Sequence, residues 1–313
     1  MESNTTMIYR GNVLIFGGSG FIGSNLAEVL ACQGYGVISL SRSPQLASDL
    51  RGRSIQYVCA DASNPATYAE YIELADHIVY LASGTTPGTS SDNPYLDIEA
   101  NLLPFIQMLK INGMGKRLPV LFASSGGTVY GVPRYLPIDE LHPTEPICPY
   151  GIVKLAMEKY LMYYARTFGF GHTILRISNP FGGLHHRRMD QGVIDVFARK
   201  IIRRENLVIW GEGAVVRDYI HIEDVCHGFA KALTYRGGQS VFNIGSGRGR
   251  SILEIVSSLA FHAKVNPEIN FARERGHDIR ENVLDISSAK LELGWAPQID
   301  FDQGIMLTLR NAS

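Results

Sequence analysis

Short apolar runs alternate with amphipathic stretches through the first 178 residues. Val13–Phe16, Gly36–Leu40, Ile55–Ala60, His77–Ala82, Pro119–Ala123 and Thr173–Ile177 read as buried strands. Between them, apolar positions recur at helical spacing over about Phe21–Gln33, Asp97–Ile111 and Tyr150–Phe168. The stretch Ser83–Asp92, rich in Ser, Gly, Thr and Pro, reads as a loop. Strands alternating with helices predict an α/β, doubly wound parallel sheet with right-handed crossovers. After Asn179 the rhythm changes. The strands Leu207–Trp210 and Val241–Ile244 mix with helices near Gln191–Arg203 and Ser251–His262 and with Gly-rich turns. The expected division is a first domain of residues 1–178, with an interleaved crossover segment at about 215–235. A smaller region takes the remainder of 179–313.

Composition narrows the function classes. The chain has 313 residues, 45% hydrophobic and 19% charged, with a net charge of −1, so neither nucleic acid nor an acidic membrane surface is an expected partner. Its four cysteines (Cys32, Cys59, Cys148, Cys226) are far apart, form no C-x-x-C pair and suit a reducing compartment. The opening residues lack a signal peptide's pattern, and no apolar run approaches the roughly 18 residues of a membrane span. A cytoplasmic location is expected. The run His185-His186-Arg187-Arg188 has no Cys or carboxylate at metal-ligand spacing, so no metal site is expected.

In a doubly wound sheet, ligands sit beyond the carboxyl ends of the strands. The first strand runs straight into Gly17, Gly20 and Gly23, and a helical pattern begins at Phe21-Ile22. Glycines spaced G-x-x-G-x-x-G let the backbone turn sharply, and the helix start offers free N–H groups to a pyrophosphate. A bound dinucleotide, NAD or NADP, is therefore expected. Tyr150 and Lys154 form Y-x-x-x-K, which places both on one face of a helix. An ammonium beside a phenol favours the phenolate, so the pair suits proton removal from a sugar hydroxyl while a cofactor takes hydride. The polar segment Ser124-Ser125-Gly126-Gly127-Thr128-Val129-Tyr130-Gly131 follows the fifth strand, where a hydroxyl could orient the reacting oxygen.

On these motifs the chain resembles the extended short-chain dehydrogenase/reductase family, most of all its nucleotide-sugar epimerases. The matching pieces are GGSGFIGS (Gly17–Ser24), Asp61, SSGGTVYG, PYGIVK (Pro149–Lys154), RISNPFG (Arg176–Gly182), VRDYIHIEDV (Val216–Val225), NIGSG (Asn243–Gly247) and LGW (Leu293–Trp295). The resemblance implies a Rossmann-type sheet with a smaller mixed α/β substrate-binding region. It implies that Tyr150 is the catalytic acid and base and that Lys154 holds the nicotinamide ribose. Gly17, Gly20, Phe21, Ile22 and Gly23 would bind the pyrophosphate, Asp61 and Ala62 the adenine, and Leu81, Ala82 and Ser83 the cofactor from the fourth strand end. Asn179, Arg217 and Arg275 would contact a nucleotide-diphosphate sugar. The helix near Asp97–Ile111 and the one beginning at Tyr150 would pack against their copies in a homodimer.

Two positions depart from that family. The hydroxyl residue usually stands four before the tyrosine of V-Y-G, and here that residue is Gly126; Ser125 is the expected substitute, with Ser124 and Thr128 as rivals. After the second strand, where NAD-binding members carry an acidic residue, this chain has Ser41 and Arg42, which suits a 2′-phosphate. Two reactions follow. One is a nucleotide-hexose 4-epimerisation with retained NAD. The other is an NADPH-dependent reduction of a nucleotide-linked 4-keto-6-deoxyhexose. A cofactor-sensing protein without turnover is a remote third, since it would need neither Tyr150 nor Lys154.

Overall fold

A computed structural model describes residues 9–43, 54–183, 192–273 and 279–312. Arg275 and the His185–Arg188 run lie outside the described residues. The chain divides into two compact units. One comprises Met1–Ser124, Cys148–Ile174 and Ala232–Arg236, and the other Ser125–Ile147, Leu175–Lys231 and Gly237–Ser313.

In chain order the first part contains β1 (Asn12–Phe16), α1 (Phe21–Cys32), β2 (Gly36–Ser41), β3 (Ile55–Cys59), α2 (Ala69–Leu74) and β4 (His77–Tyr80). There follow α3 (Pro87–Asp92), α4 (Pro94–Asp97), α5 (Leu103–Met114), β5 (Val120–Ser125), α6 (Pro149–Phe168) and β6 (His172–Ile177). Parallel pairing joins β3 to β2, β2 to β1, β1 to β4 and β4 to β5. Val13, Leu14, Ile15 and Phe16 are all at most 2% exposed, as befits a strand covered on both faces. Each such side chain contributes about 1.5–3 kcal/mol through burial. An aromatic file runs from Tyr68 through Phe16, Tyr80 and Phe105 to Phe122, with neighbouring ring centroids 4.6–5.3 Å apart.

Two local expectations change here. The last part of Ser83–Asp92 is helical, because Thr86 and Thr89 form a reciprocal cap and Pro87 occupies the first turn. The single helix expected from Asp97 to Ile111 is α4, a π turn over Ile98–Leu102, and then α5. Pro104 lies in the first turn of α5 and has no N–H to extend the α ladder backward.

The second part adds β7 (Asn179–Phe181), α7 (Val193–Ile202), β8 (Leu207–Trp210), β9 (Val216–His221), α8 (Ile222–Thr234) and β10 (Val241–Ile244). It ends with β11 (Gly249–Ser251), α9 (Ile252–Ala263), β12 (Ile269–Ala272), β13 (Glu281–Asn282), α10 (Ser287–Glu292) and α11 (Phe301–Ala312). The large sheet has seven strands in the order β10-β6-β5-β4-β1-β2-β3. Val241–Ile244, in the second unit, is thus an edge strand of that sheet beside β6. Strand pairing is a non-local choice that an apolar four-residue run does not encode. β9 instead pairs with β7, β11 and β13, and β8 with β12. α7, α9 and α11 bury Ile194, Phe197, Ile201, Ile255, Leu259 and Ile305 against β8 and β9. Among the described residues no helix is long and apolar enough to cross a membrane.

Candidate active site

β1 ends in a turn whose glycines serve different needs. Gly17 has φ +84°, and a Cβ there would lie 2.7 Å from the Ala82 backbone nitrogen. A Cβ on Gly23 would lie 2.3 Å from the Gly17 carbonyl oxygen and 2.7 Å from Gly18 Cα. These two glycines press the turn, α1 and the end of β4 together. Gly20 would meet only the Gly17 oxygen, at 3.1 Å, so packing alone does not demand a glycine there. It is also the N-cap of α1, has no side-chain cap, and is followed by no acidic residue in the first turn. The helix start keeps its N–H groups and the positive end of its dipole for an anion.

Ser41, Arg42 and Asp61 lie at the ends of β2 and β3. Ser41 Oγ is buried without a hydrogen-bond partner. Asp61 accepts from the Ser63 backbone N–H and hydroxyl on Oδ1, at 2.9 and 2.8 Å. Those bonds hold its carboxyl below the usual range, and the Arg42 charge acts in the same direction. Arg42 is therefore partly offset by Asp61. An uncapped helix start, a cradle of bare glycine backbone and an orphaned hydroxyl at the end of β2 together fit a dinucleotide.

From the glycine turn a short path leads to Tyr150. Gly17 abuts Ala82; the next residue, Ser83, donates its hydroxyl to the Thr85 carbonyl at 3.0 Å and lies near enough to the Tyr150 phenol to favour its ionised form. Tyr150 stands in the first turn of α6. The N-cap there, Cys148, supplies no side-chain bond, and the Tyr150 N–H donates instead to Ser90 Oγ of α3 at 2.9 Å. The helix that sequence reading takes for a loop thus seats the first turn of α6. One turn further, Lys154 is buried, donates to the Ala123 carbonyl at 3.0 Å, and lies 5.1 Å from the Phe122 ring centroid and 5.6 Å from that of Tyr150. Burial pulls the Lys154 ammonium down to about 8, while Asp97 and then Glu158 act in the opposite direction. Burial pushes the Tyr150 phenol up to about 12; Ser83 opposes that rise, and Asp97 and Cys148 add to it.

The candidate hydroxyls separate clearly. Ser124 is buried and donates to Glu158 Oε1 at 2.5 Å, so it serves that carboxylate. Thr128 Oγ1 is buried and unpartnered. Ser125 ends β5, half-buried. A Cβ on Gly126 would come within 2.6 Å of Leu284 Cδ1 and 3.1 Å of the Arg176 carbonyl oxygen, which explains why no side chain stands there.

In the second unit, Asn179 donates to the Asp218 carbonyl at 2.9 Å and is paired with Tyr219 across β7 and β9. Arg217 donates to the carbonyls of Val216 and Ile279, at 2.9 and 2.6 Å. Asp218 is fully buried and accepts from the Ser246 N–H and hydroxyl, both at 2.7 Å, and from the Gly247 N–H at 3.1 Å, fixing the loop after β10 beside Asn179. Sequence reasoning passes over Ser90, Asp97, Asn101, Glu158 and Asp218. Only Glu158, one turn beyond Lys154, carried a positional signal.

The model of the NAD dependent epimerase/dehydratase family matches residues 13–245. A dTDP-4-dehydro-6-deoxyglucose reductase of Escherichia coli is 32% identical over 95% of this chain and 96% of that one. The UDP-glucose 4-epimerase of Thermotoga maritima, solved with UDP-glucose, is 30% identical with a TM-score of 0.89 over 96% of this chain and 98% of that one. The Thermus thermophilus UDP-glucose 4-epimerase, solved with NAD, is 29% identical with a TM-score of 0.86 over the same shares.

Proposed function

Because the chain belongs to the NAD dependent epimerase/dehydratase family, we propose that it interconverts the C4 epimers of a nucleotide-diphosphate hexose of the UDP-glucose type, with NAD as cofactor. The observation that carries this reading is the uncapped helix start behind a bare glycine turn that abuts Ala82 at the end of β4, in a chain whose Tyr150 and Lys154 lie together on one helix, 5.6 Å from ring centroid to ammonium. Gly17, Gly20, Phe21, Ile22 and Gly23 would hold the pyrophosphate, Asp61 and Ala62 the adenine, Ser41 and Arg42 the adenosine ribose, and Leu81, Ala82, Ser83 and Lys154 the nicotinamide end. When bound, NAD supplies a hydride acceptor and a cationic ring.

At neutral pH the Tyr150 phenol, raised to about 12, is protonated on its own. Positive charge beside it, from Lys154 and the bound cation, favours the phenolate. Tyr150 would then take the proton from the sugar O4 and return it, with Ser125 orienting that oxygen. Asn179, Arg217 and Arg275 would hold the diphosphate, a task that guanidinium forks suit. The exposed apolar residues Ile152, Tyr160 and Tyr163 share one face of α6, and Leu103 and Met114 are exposed on α5, which supports a homodimer through these helices. All four cysteines are free thiols, in keeping with the cytoplasm.

The reductase reading is favoured by one observation, the absence of a carboxylate at Ser41 with Arg42 beside it. Denaturing the purified protein and identifying the released dinucleotide separates the two. Near-stoichiometric NAD(H), conversion of UDP-glucose to UDP-galactose, and loss of turnover in Tyr150→Phe are expected. A protein that is isolated empty and oxidises NADPH with a dTDP-4-keto-6-deoxyhexose overturns the epimerase reading. Unchanged turnover in Tyr150→Phe overturns both.

A further inference from the structure

Close to the Tyr150–Lys154 pair stands a carboxylate that the reaction above does not use. Asp97 ends α4 immediately before the π turn and is fully buried. Its Oδ1 accepts from Thr85 Oγ1 and, at 2.7 Å, from Asn101 Nδ2. Asn101 also donates to Thr85 Oγ1 at 2.7 Å and accepts the Gly84 N–H at 2.6 Å, so four hydrogen bonds lock the cluster in place. Asp97 Oδ2, by contrast, is buried without a hydrogen-bond partner. An ionised carboxyl with one bare oxygen in the interior is strongly disfavoured unless a cation lies near. α4 and the π turn pack against α6, and Lys154 of α6 is itself buried, with Asp97 the larger of the two carboxylate influences that favour its charged form.

We propose that Asp97 is a positioning residue of the site: pinned through one oxygen by Thr85 and Asn101, it is the buried counter-charge that keeps Lys154 an ammonium beside the Tyr150 ring. The groups facing Lys154 are Asp97, the Phe122 and Tyr150 rings, the Ala123 carbonyl, and Glu158 from its own helix. Those facing Tyr150 are Ser83, Asp97 and Cys148. Glu158 already accepts from Ser124, and its influence on Lys154 is the smaller of the two carboxylates'. One charge at Asp97 thus acts on both members of the pair in the same sense. It makes Lys154 harder to neutralise and Tyr150 harder to ionise.

The purpose assigned to this charge rests on the epimerase reading, but the charge state of Lys154 can be measured without turnover. Asp97→Asn keeps an oxygen for Thr85 and Asn101 and removes the charge. In protein labelled with ¹⁵N-lysine, free of cofactor and substrate, the Lys154 Nζ resonance is identified by its loss in Lys154→Met and followed against pH. Its midpoint is expected near 8 in the native chain and lower by about one unit or more in Asp97→Asn. In turnover, both limbs of the pH profile should move to lower pH, with kcat falling more than KM rises. An unmoved Nζ midpoint with unmoved limbs, whatever the loss of rate, gives Asp97 a merely structural role and overturns the proposal. Where Asp97→Asn does not fold, Thr85→Val keeps the charge and removes one donor. The Nζ midpoint should then stay level or rise, and a fall overturns the proposal. If no sugar nucleotide is turned over, the epimerase reading fails while the Nζ titration still decides this one.

Discussion

Gly20 and Gly23, three residues apart in one turn, should fail in opposite ways when each gains a single methyl group. On Gly23 the methyl would stand 2.3 Å from the Gly17 oxygen and 2.7 Å from Gly18 Cα, and both are backbone atoms that no rotamer change can move aside. Relief requires α1 to part from the end of β1, where Val13–Phe16 and Leu26 are at most 2% exposed. Overpacking of this kind costs about 3 kcal/mol. On Gly20 the methyl meets only the Gly17 oxygen at 3.1 Å, and φ −72°, ψ 175° is extended backbone that alanine adopts readily. The loss of a favoured N-cap residue and the smaller unfolded-state entropy nearly cancel, leaving a change within about 1 kcal/mol. On the cofactor site proposed above, that methyl nevertheless stands where a pyrophosphate would approach bare backbone. Denaturant titration of the cofactor-free protein, with dinucleotide affinity measured calorimetrically, reads both effects. Gly23→Ala should lower stability by about 3 kcal/mol. Gly20→Ala should keep its stability and bind at least about tenfold more weakly, a loss of about 1.4 kcal/mol. Native affinity in Gly20→Ala, or native stability in Gly23→Ala, refutes the division of labour.

Further outcomes can be measured in the same system. Ser125→Ala should lower kcat by about 10²–10⁴-fold, whereas Ser124→Ala should lose about 1–3 kcal/mol of stability with kcat largely kept, because its hydroxyl serves buried Glu158. Gly126→Ser should be destabilised by contact with Leu284, and adding Leu284→Ala should recover part of the loss in a thermal melt. Burial lowers His221 to about 4, so the folded chain resists a proton that the unfolded chain takes up near pH 6.5. Its contribution is whole above pH 6.5 and lost as pH falls toward 4, by about 3 kcal/mol, a slope that His221→Gln should remove from acid denaturation. If α5 and α6 form the proposed homodimer face, native protein should sediment as a dimer and Tyr163→Arg, at a residue 60% exposed on α6, as a folded monomer; a native monomer refutes the proposed face.

The strands of the first half were legible because a sheet covered on both faces needs unbroken apolar runs, and Val13–Phe16 or His77–Tyr80 can be little else. The glycine turn and Y-x-x-x-K were legible because their chemistry depends on spacing within one segment. What escaped depends on partners distant in sequence. Ser83–Asp92 has the composition of a loop, yet the Thr86–Thr89 cap makes its end a helix, and Ser90 then caps α6 sixty residues on. Val241–Ile244 is as apolar as an isolated strand anywhere, and only its neighbour decides which sheet it joins. Asp97 and Asn101 look like the polar face of a surface helix until the fold buries them against Thr85.

The choice among hydroxyls shows how far the two sources of information reach when joined. By sequence, Ser124, Ser125 and Thr128 are alternatives, because a turn with two serines and two glycines has no fixed register against the family's motif. The structure gives Ser124 to Glu158 and fills the space beside Gly126 with Leu284. A polar side chain that leaves the register for the core needs a buried acceptor, and Glu158 stands two turns after Tyr150 on the same helix to provide it. Glu158 is also the second carboxylate that favours a charged Lys154. Ser124 thus helps to hold a carboxylate that favours the charged form of Lys154. A double-mutant comparison of Ser124→Ala and Glu158→Gln should accordingly show coupling of about 0.5–3 kcal/mol in stability, and additivity would mean that the two act apart.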